Sequence, residues 1–589
     1  MKSFLKTILA SVIGVIIANI LLLGALLSII TLISVISTGR PNIPSNTLYC
    51  LKLEGKIVER KERSPLDIIF PSNLQETGLN QILHSIKKAK DNSFIKGIYI
   101  EAGDFSASPA SLEEIRQALL NFHTSGKPII AYADNYSQSA YYLCSVADKI
   151  YLHPNGRIDW KGIAATPIFF TDLLDKLGVK MQIFRVGSFK SAVEPFSSIS
   201  MSRENRDQTN IYLKSIWSVI VDNISNSRNI SPTILNRYAD EHMKFVSAEK
   251  YINYGLVDSL LYIDQVKIEL GKISGESENN KINMLFTNDM INFTDDSNQK
   301  FIENRIALYY AYGEIDGVSD YYSQTNINSD VMCRELASLR NNKNIKAVVV
   351  RVNSPGGSAF GSEKIWREMK LLADTKPLVV SMGDYAASGG YYISSPAHII
   401  VAQNTSITGS IGIFGMIPDI SELFNNKLGL YMDIVKTNLH TDLGVVNRGL
   451  NITESEMIQA EVNLGYELFI NRCSEGRDKD PEDIKTIAEG KIWTGMMAME
   501  IGLVDTIGGI EEAIELARNL AEVESYKLIE YPLSEPFLLS LLNNTKNNYF
   551  NNCIKRELGM LYEPFCIINS FTKMDRIQAL TIQGVPLEI

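Results

Sequence analysis

Met382-Gly-Asp-Tyr-Ala-Ala-Ser-Gly-Gly-Tyr-Tyr392 follows an apolar run, Pro377-Leu-Val-Val-Ser381, and leads into Tyr391-Tyr-Ile-Ser-Ser395. That order is a buried strand, a sharp turn and the first turns of a buried helix. Ala386, Ala387, Gly389 and Gly390 flank Ser388 with side chains too small to obstruct the turn or the approach of another molecule to the hydroxyl. A serine so displayed stands at the positive end of a helix, where negative charge developing on oxygen is stabilised. The same stretch also reads as a turn whose serine merely caps the helix.

Strand and helix alternate around it. Residues 46–57 open as a strand, followed by an amphipathic helix near 79–90 and a buried strand, Ile95-Lys-Gly-Ile-Tyr-Ile100. A helix over 110–124 and a strand over 128–132 come next. This alternation predicts an α/β fold with a mainly parallel sheet. The stretch 274–303 is polar and poorly periodic and reads as a linker.

Beyond it the chain starts again. Ile345-Lys-Ala-Val-Val-Val350 repeats residues 95–100 at an offset of 250, and Tyr391-Tyr392 repeats Tyr141-Tyr142 at the same offset. Lys427-Leu-Gly-Leu430 repeats Lys176-Leu-Gly-Val179 at 251, and Gly502-Leu-Val-Asp505 repeats Gly255-Leu-Val-Asp258 at 247. Four matches in one order at nearly one spacing mark a duplicated domain rather than a short-period solenoid. The copies differ where chemistry would sit. Ser388 falls on Gln138, and the paired glycines of Asn353-Ser-Pro-Gly-Gly-Ser358 have no counterpart in Gly103-Asp-Phe-Ser-Ala-Ser108. Conversely, Lys190 in Arg185-Val-Gly-Ser-Phe-Lys-Ser-Ala-Val-Glu-Pro195 falls on Thr441. One copy has the serine and the glycine pair, the other has the lysine.

Composition bounds the rest. The chain has 589 residues, 45% of them apolar, and a net charge of −10 without long basic runs, which argues against a nucleic-acid surface. Residues 8–36 carry no charge, long enough to cross a bilayer and too long for a signal-peptide core, and no Ala-x-Ala site follows. With Lys2 and Lys6 before it, this span predicts an uncleaved transmembrane helix with the N-terminus cytoplasmic. That topology suits a single-pass protein of the bacterial inner membrane with its body in the periplasm. Six cysteines are scattered without zinc-ligand spacing; Cys553 and Cys566 are candidates for pairing, and the others read as small core residues. No metal or nucleotide motif is apparent, so no cofactor is expected.

Five stretches together carry a resemblance: Asn353-Ser-Pro-Gly-Gly-Ser358, Asp384-Tyr-Ala-Ala-Ser-Gly-Gly-Tyr-Tyr392, Thr408-Gly-Ser-Ile-Gly-Ile-Phe-Gly415, Val186-Gly-Ser-Phe-Lys-Ser-Ala-Val-Glu-Pro-Phe196 and Trp493-Thr-Gly495. The chain resembles the long, duplicated-domain form of the signal peptide peptidase A family, also called protease IV. The resemblance implies tandem Clp-protease/crotonase-like α/β domains behind an N-terminal transmembrane helix. It divides the chain into an anchor (1–40), a lysine-bearing repeat (46–273), the linker (274–303), a serine-bearing repeat (304–525) and a C-terminal tail (526–589). It implies a Ser/Lys dyad with Ser388 as nucleophile and Lys190 as general base. It further implies apolar signal-peptide remnants as substrates and a homo-oligomer, commonly a tetramer.

The residues themselves are consistent with those roles. A serine nucleophile needs a base within hydrogen-bond reach. Of the histidines at 84, 123, 153, 242, 398 and 440, His398 lies ten residues beyond Ser388, roughly 15 Å along a helix, too far to touch it. His440, beside the position equivalent to Lys190, is the rival base. A lysine serves when burial keeps its amine neutral, and Phe184, Val186 and Phe189 supply an apolar wall. Ser410, with Trp160 as its counterpart, is a candidate for orienting the amine, and the N–H groups of Gly356, Gly357 and Gly389 for holding an oxyanion. Two other classes stay open: a crotonase-like enzyme acting on acyl thioesters, and an inactive membrane scaffold.

Overall fold

The structure, a computed structural model, describes residues 43–61, 76–241, 243–275, 282–292, 302–316, 326–533 and 577–580, with scattered helical positions between 13 and 28. Most of the expected anchor, the Cys553–Cys566 pair and His242 lie outside the described residues. Among the described residues no helix is long and apolar enough to cross a membrane.

Each repeat is built on a parallel sheet. In the first, the strands run in the order Glu76–Gly78, Thr47–Val58, Ile95–Ser106, Ile129–Ala133, Lys149–Leu152, Ser259–Leu260. In the second, Arg305–Tyr312, Ile345–Ser354 and Leu378–Ala387 are parallel neighbours, as are their counterparts Thr47–Val58, Ile95–Ser106 and Ile129–Ala133. Continuous apolar strands such as Val348–Val350 are buried on both faces because helices cover both sides of a parallel sheet. The helices Leu79–Asp91 and Pro109–His123 lie within one or two residues of the expected bounds. The strand before Ser388 is longer than its apolar core, because Gly383–Ala387 continues to pair as far as Gly409.

Two segments differ from the sequence reading. Within the expected linker, Met284–Phe286 pairs in parallel with Leu48–Cys50, and the helix Thr287–Asn292 buries Met290 against the first repeat. A three-residue strand is too short to show alternation, so its polar flanks hid it. Beyond the expected boundary at 525, Lys527–Tyr531 joins the second sheet beside Arg305–Tyr312. Among the described residues it pairs on one edge only, and it carries too little apolar pattern to mark it as a strand.

A third sheet joins the repeats. Lys180–Arg185 of the first repeat pairs antiparallel with Phe414–Asp419 of the second, Lys180 opposite Asp419 and Arg185 opposite Phe414. The same sheet holds Gly356–Ser358 and the strand Ile577–Leu580. Ion pairs reinforce this joint from below: Arg351 of the second repeat, 1% exposed, reaches Glu59 at 2.6 Å and Glu114 at 2.7 Å, both from the first.

Candidate active site

The joint between the repeats brings the two halves of the expected pair together. Lys190 Nζ lies 2.7 Å from Ser388 Oγ, across 198 residues of chain, and both residues are buried. Lys190 Nζ also donates to Ser410, to its carbonyl oxygen at 3.0 Å and to its hydroxyl at 3.1 Å.

The serine side is held by its strand. Leu378–Ala387 delivers Ser388, whose N–H donates to the Gly409 carbonyl at 2.8 Å. Ser388 takes φ 55°, ψ −115°, a conformation a serine adopts only when its surroundings impose it. The short helix Gly389–Ser394 starts there and packs on Gly356–Ser358. Gly390 permits this contact, since a Cβ there would sit 2.5 Å from the Ser354 carbonyl oxygen. Gly356 and Gly357 both have positive φ, and Gly357 lies so close to Ile315 that a Cβ would meet its carbonyl oxygen at 2.2 Å. The Gly356 N–H donates to Ser354 Oγ at 3.2 Å within its own turn.

The lysine side is delivered by Lys180–Arg185, after which residues 186–190 cross onto the second repeat. Phe189 N–H donates to the Glu489 carbonyl, and Gly490 packs so closely that a Cβ on it would lie 2.7 Å from the Lys190 backbone nitrogen. Gln208 Nε2 donates to the Phe189 carbonyl and to Ser191 Oγ, both at 3.1 Å. The turn Ser191–Phe196 is fastened by Glu194, which accepts from Ser202 and from Asn205 Nδ2. Gly490, Gln208 and Glu194 went unread in the sequence. Gly490 and Gln208 act on backbone distant in the chain, and only the glycine at 490, with φ 82°, leaves any local trace.

Electrostatically the site is dry. Burial pushes the Lys190 amine well below the ordinary lysine range. The carboxylates nearby are held elsewhere. Burial raises the pKa of Asp384, four residues before Ser388, with the Glu59 charge adding to it, while Asp384 accepts from Ser111 and from Asn353 Nδ2. Of the histidines, His398 Nδ1 accepts the Leu378 N–H, and His440 lies beside Glu454 in a cluster with Arg448. Among the contacts of the described residues, neither reaches Ser388.

In the first repeat the equivalent place is filled. Gln138 Oε1 accepts from the N–H groups of Lys161 and Gly162, each at 3.0 Å, and Trp160 occupies the position of Ser410, its Nε1 donating to the Leu235 carbonyl.

Similarity to known proteins follows the same division. The model of Peptidase family S49 matches residues 121–275 and 370–524, one segment in each repeat. Protease 4 of Salmonella typhi is 36% identical over 480 residues, 80% of this chain and 76% of its own. Protease 4 of Haemophilus influenzae is 33% identical over 564 residues, 91% of each chain. The chloroplastic serine protease SPPA of Arabidopsis thaliana is 30% identical over 83% of this chain and 71% of its own. Among solved structures, a ClpP1 mutant from Listeria monocytogenes aligns at 14% identity and a TM-score of 0.24 with 35% of this chain and 94% of its own. With the family's sequence on both halves of the duplication and Protease 4 relatives along most of its length, this chain belongs to peptidase family S49 and is a serine protease.

Proposed function

We propose that Ser388 and Lys190 form a Ser/Lys dyad that cleaves apolar peptides, cleaved signal peptides among them, by acyl transfer. The observation that carries this reading is the 2.7 Å contact between a buried amine and a buried hydroxyl. A neutral amine has two N–H bonds and one lone pair. The Ser410 carbonyl can only accept, and the Ser410 hydroxyl can accept as well, so the N–H bonds go there and the lone pair is left for the Ser388 proton. Lys190 takes that proton as Oγ bonds to the peptide carbonyl carbon. The ammonium then returns it to the departing amine as the C–N bond breaks, leaving an acyl-enzyme. Water, deprotonated by the same amine, releases the product and restores the serine. The N–H groups of Gly357 and Gly389 serve as oxyanion donors in this scheme, while the Gly356 N–H, engaged by Ser354 Oγ, holds the turn. A thioester-directed enzyme of the crotonase kind has no need of an amine held against a serine.

An extended peptide fits beside the serine by adding a strand to the joint sheet. Support comes from the chain itself: Ile577–Leu580 pairs antiparallel with Gly356–Ser358 on one side and with Phe414–Gly415 on the other. A chain ending at residue 576 is therefore expected to turn over a fluorogenic peptide with a severalfold lower KM and unchanged kcat. An unaltered KM would place the natural strand outside the substrate's path. Gly357→Ala is expected to lower kcat by about 10²-fold or more, because the added Cβ would meet the Ile315 carbonyl oxygen and shift the turn that aims the N–H at the oxyanion; full activity would take Gly357 out of the site.

The uncharged span 8–36, behind Lys2 and Lys6, anchors the chain in a bacterial inner membrane in this reading, with the repeats in the periplasm close to apolar peptides leaving the bilayer. The chain works as a homo-oligomer, a tetramer by family resemblance. The decisive experiment is labelling with a fluorophosphonate probe. One label per chain, on Ser388 and lost in Ser388→Ala, is expected; labelling that survives Ser388→Ala would remove the assignment.

A further inference from the structure

The joint sheet holds an unpaired carboxyl one strand away from the path proposed for the peptide. Its strands run in the order Asn326–Ile327, Glu314–Ile315, Gly356–Ser358, Ile577–Leu580, Phe414–Asp419, Lys180–Arg185. Ile315 stands opposite Gly357 in parallel register, so Glu314 comes beside Gly356. On the other side of Gly356, the antiparallel strand Ile577–Leu580 places residue 580. Residues in register across a sheet share a face. Gly356 has no side chain, so the middle strand puts nothing between Glu314 and the residue that pairs with Gly356 from the other side.

The carboxyl itself is unsatisfied. Ile315 is fully buried in the core of the second repeat, and alternation along the strand turns Glu314 to the opposite face. Glu314 is half-buried, and its Oε1, shut off from solvent, has no hydrogen-bond partner among the described residues. Burial pushes the carboxyl up to about 7, and no cation among the described residues pulls it back. The joint treats its other buried carboxylates differently: Arg351 holds Glu59 and Glu114, and Ser111 and Asn353 hold Asp384. A buried acceptor left unpaired costs stability that an arriving donor recovers. In the chain's own strand the register opposite Gly356 holds a leucine, which brings no charge to it.

We infer that Glu314 is a specificity-determining residue, receiving the lysine or arginine side chain of a substrate at the residue that pairs with Gly356. The cleft then takes apolar peptides that carry one basic residue at that register. This role rests on the peptidase reading above, with the peptide added as a strand to the joint sheet. Two strand spacings, about 10 Å, separate Glu314 from the substrate backbone. A leucine side chain does not close that gap, whereas the long stem of a lysine or arginine spans it toward the carboxyl. The ammonium or guanidinium donates to Oε1 and holds the carboxyl ionised. The register also lies near the nucleophile, because the helix Gly389–Ser394 that begins at Ser388 packs on Gly356–Ser358. A basic side chain seated there therefore fixes which bond is presented to Ser388. Cleaved signal peptides have the required composition, a basic segment running directly into an apolar one.

The test uses the full chain in detergent micelles and internally quenched peptides of leucine and alanine. One lysine, or its neutral counterpart norleucine, is moved along the peptide position by position, and the cuts are located by mass spectrometry. At one position relative to the cut bond, lysine is expected to be favoured over norleucine about 10–100-fold in kcat/KM. Glu314→Gln is expected to abolish that preference, and Glu314→Lys to replace it with a preference for glutamate at the same position. Each ratio compares two peptides on one preparation, so a loss of folded protein cancels. If leucine peptides are cut but lysine is preferred nowhere, Glu314 does not read the substrate, although the peptidase reading stands. A lysine preference that survives Glu314→Gln seats the cation against another group and equally overturns the role. If no peptide is cut and Ser388 takes no fluorophosphonate label, both readings fall. The strand path has its own test in the chain ending at residue 576, so its failure is told apart from that of Glu314.

Discussion

Lys190→Ala lowers kcat/KM by about 10⁴–10⁶, the scale seen when one member of a catalytic serine–base unit is removed, and leaves the fold intact. Lys190→Arg does not rescue it, because a guanidinium stays charged at every accessible pH and has no lone pair to offer. Steady-state assay of a fluorogenic peptide measures both; activity above a tenth of wild type in Lys190→Ala would sink the assignment. The same amine sets the pH dependence. Burial depresses its folded-state pKa, whereas in the unfolded chain it keeps its proton to about pH 10.4. Activity therefore rises with pH as the folded-state amine loses its proton. Between the depressed value and about 10.4 the unfolded chain binds the extra proton, so stability also climbs with pH across that window. Lys190→Met lacks this contribution: it melts higher than wild type at neutral pH, and the gap narrows toward pH 10. Parallel melting profiles would mean that the amine stays protonated in the fold.

Arg351→Ala costs about 3–5 kcal/mol of stability, the loss expected when one partner of a buried ion pair is deleted and its counter-charges remain. Arg351 bonds Glu59 and Glu114 from the other repeat and Ser381 within its own. Without the guanidinium, two carboxylates stay buried at the joint. Burial already pushes the Glu114 carboxyl upward, and the Arg351 charge is the chief opposing influence. In the variant the folded state therefore binds protons that the unfolded state releases above about pH 4.3, and the deficit grows as pH rises through the range above that value. Urea unfolding at two pH values tests both statements. A loss below about 1 kcal/mol would show that water or movement of the repeats compensates. Because the network spans the joint, the variant also separates Lys190 from Ser388, so labelling of Ser388 slows in step with the loss of stability.

Much of the candidate site was legible because the chain is duplicated. Comparing the copies exposed Ser388 against Gln138 and Lys190 against Thr441, and burial supplied the reason a lysine could act. The motif around Ser388 predicted a strand, a turn and a helix, and all three are present. The Glu59–Arg351–Glu114 network was not legible, because charged residues hundreds of positions apart leave no periodic trace. The strands Met284–Phe286, Lys527–Tyr531 and Ile577–Leu580 escaped for a different reason. They are three to five residues long, and what makes each a strand is the backbone edge it meets rather than its own side-chain pattern.

By itself the amino-acid sequence determined the α/β character and the duplication, and singled out Ser388 and Lys190 as the candidate pair. Those properties are written in local periodicity and in comparison of the chain with itself. Only the tertiary structure decided that Lys180–Arg185 crosses to pair with Phe414–Asp419, that the amine ends 2.7 Å from the hydroxyl, and that both are dry. Proximity and desolvation depend on every atom around a group, and those atoms come from all parts of the chain.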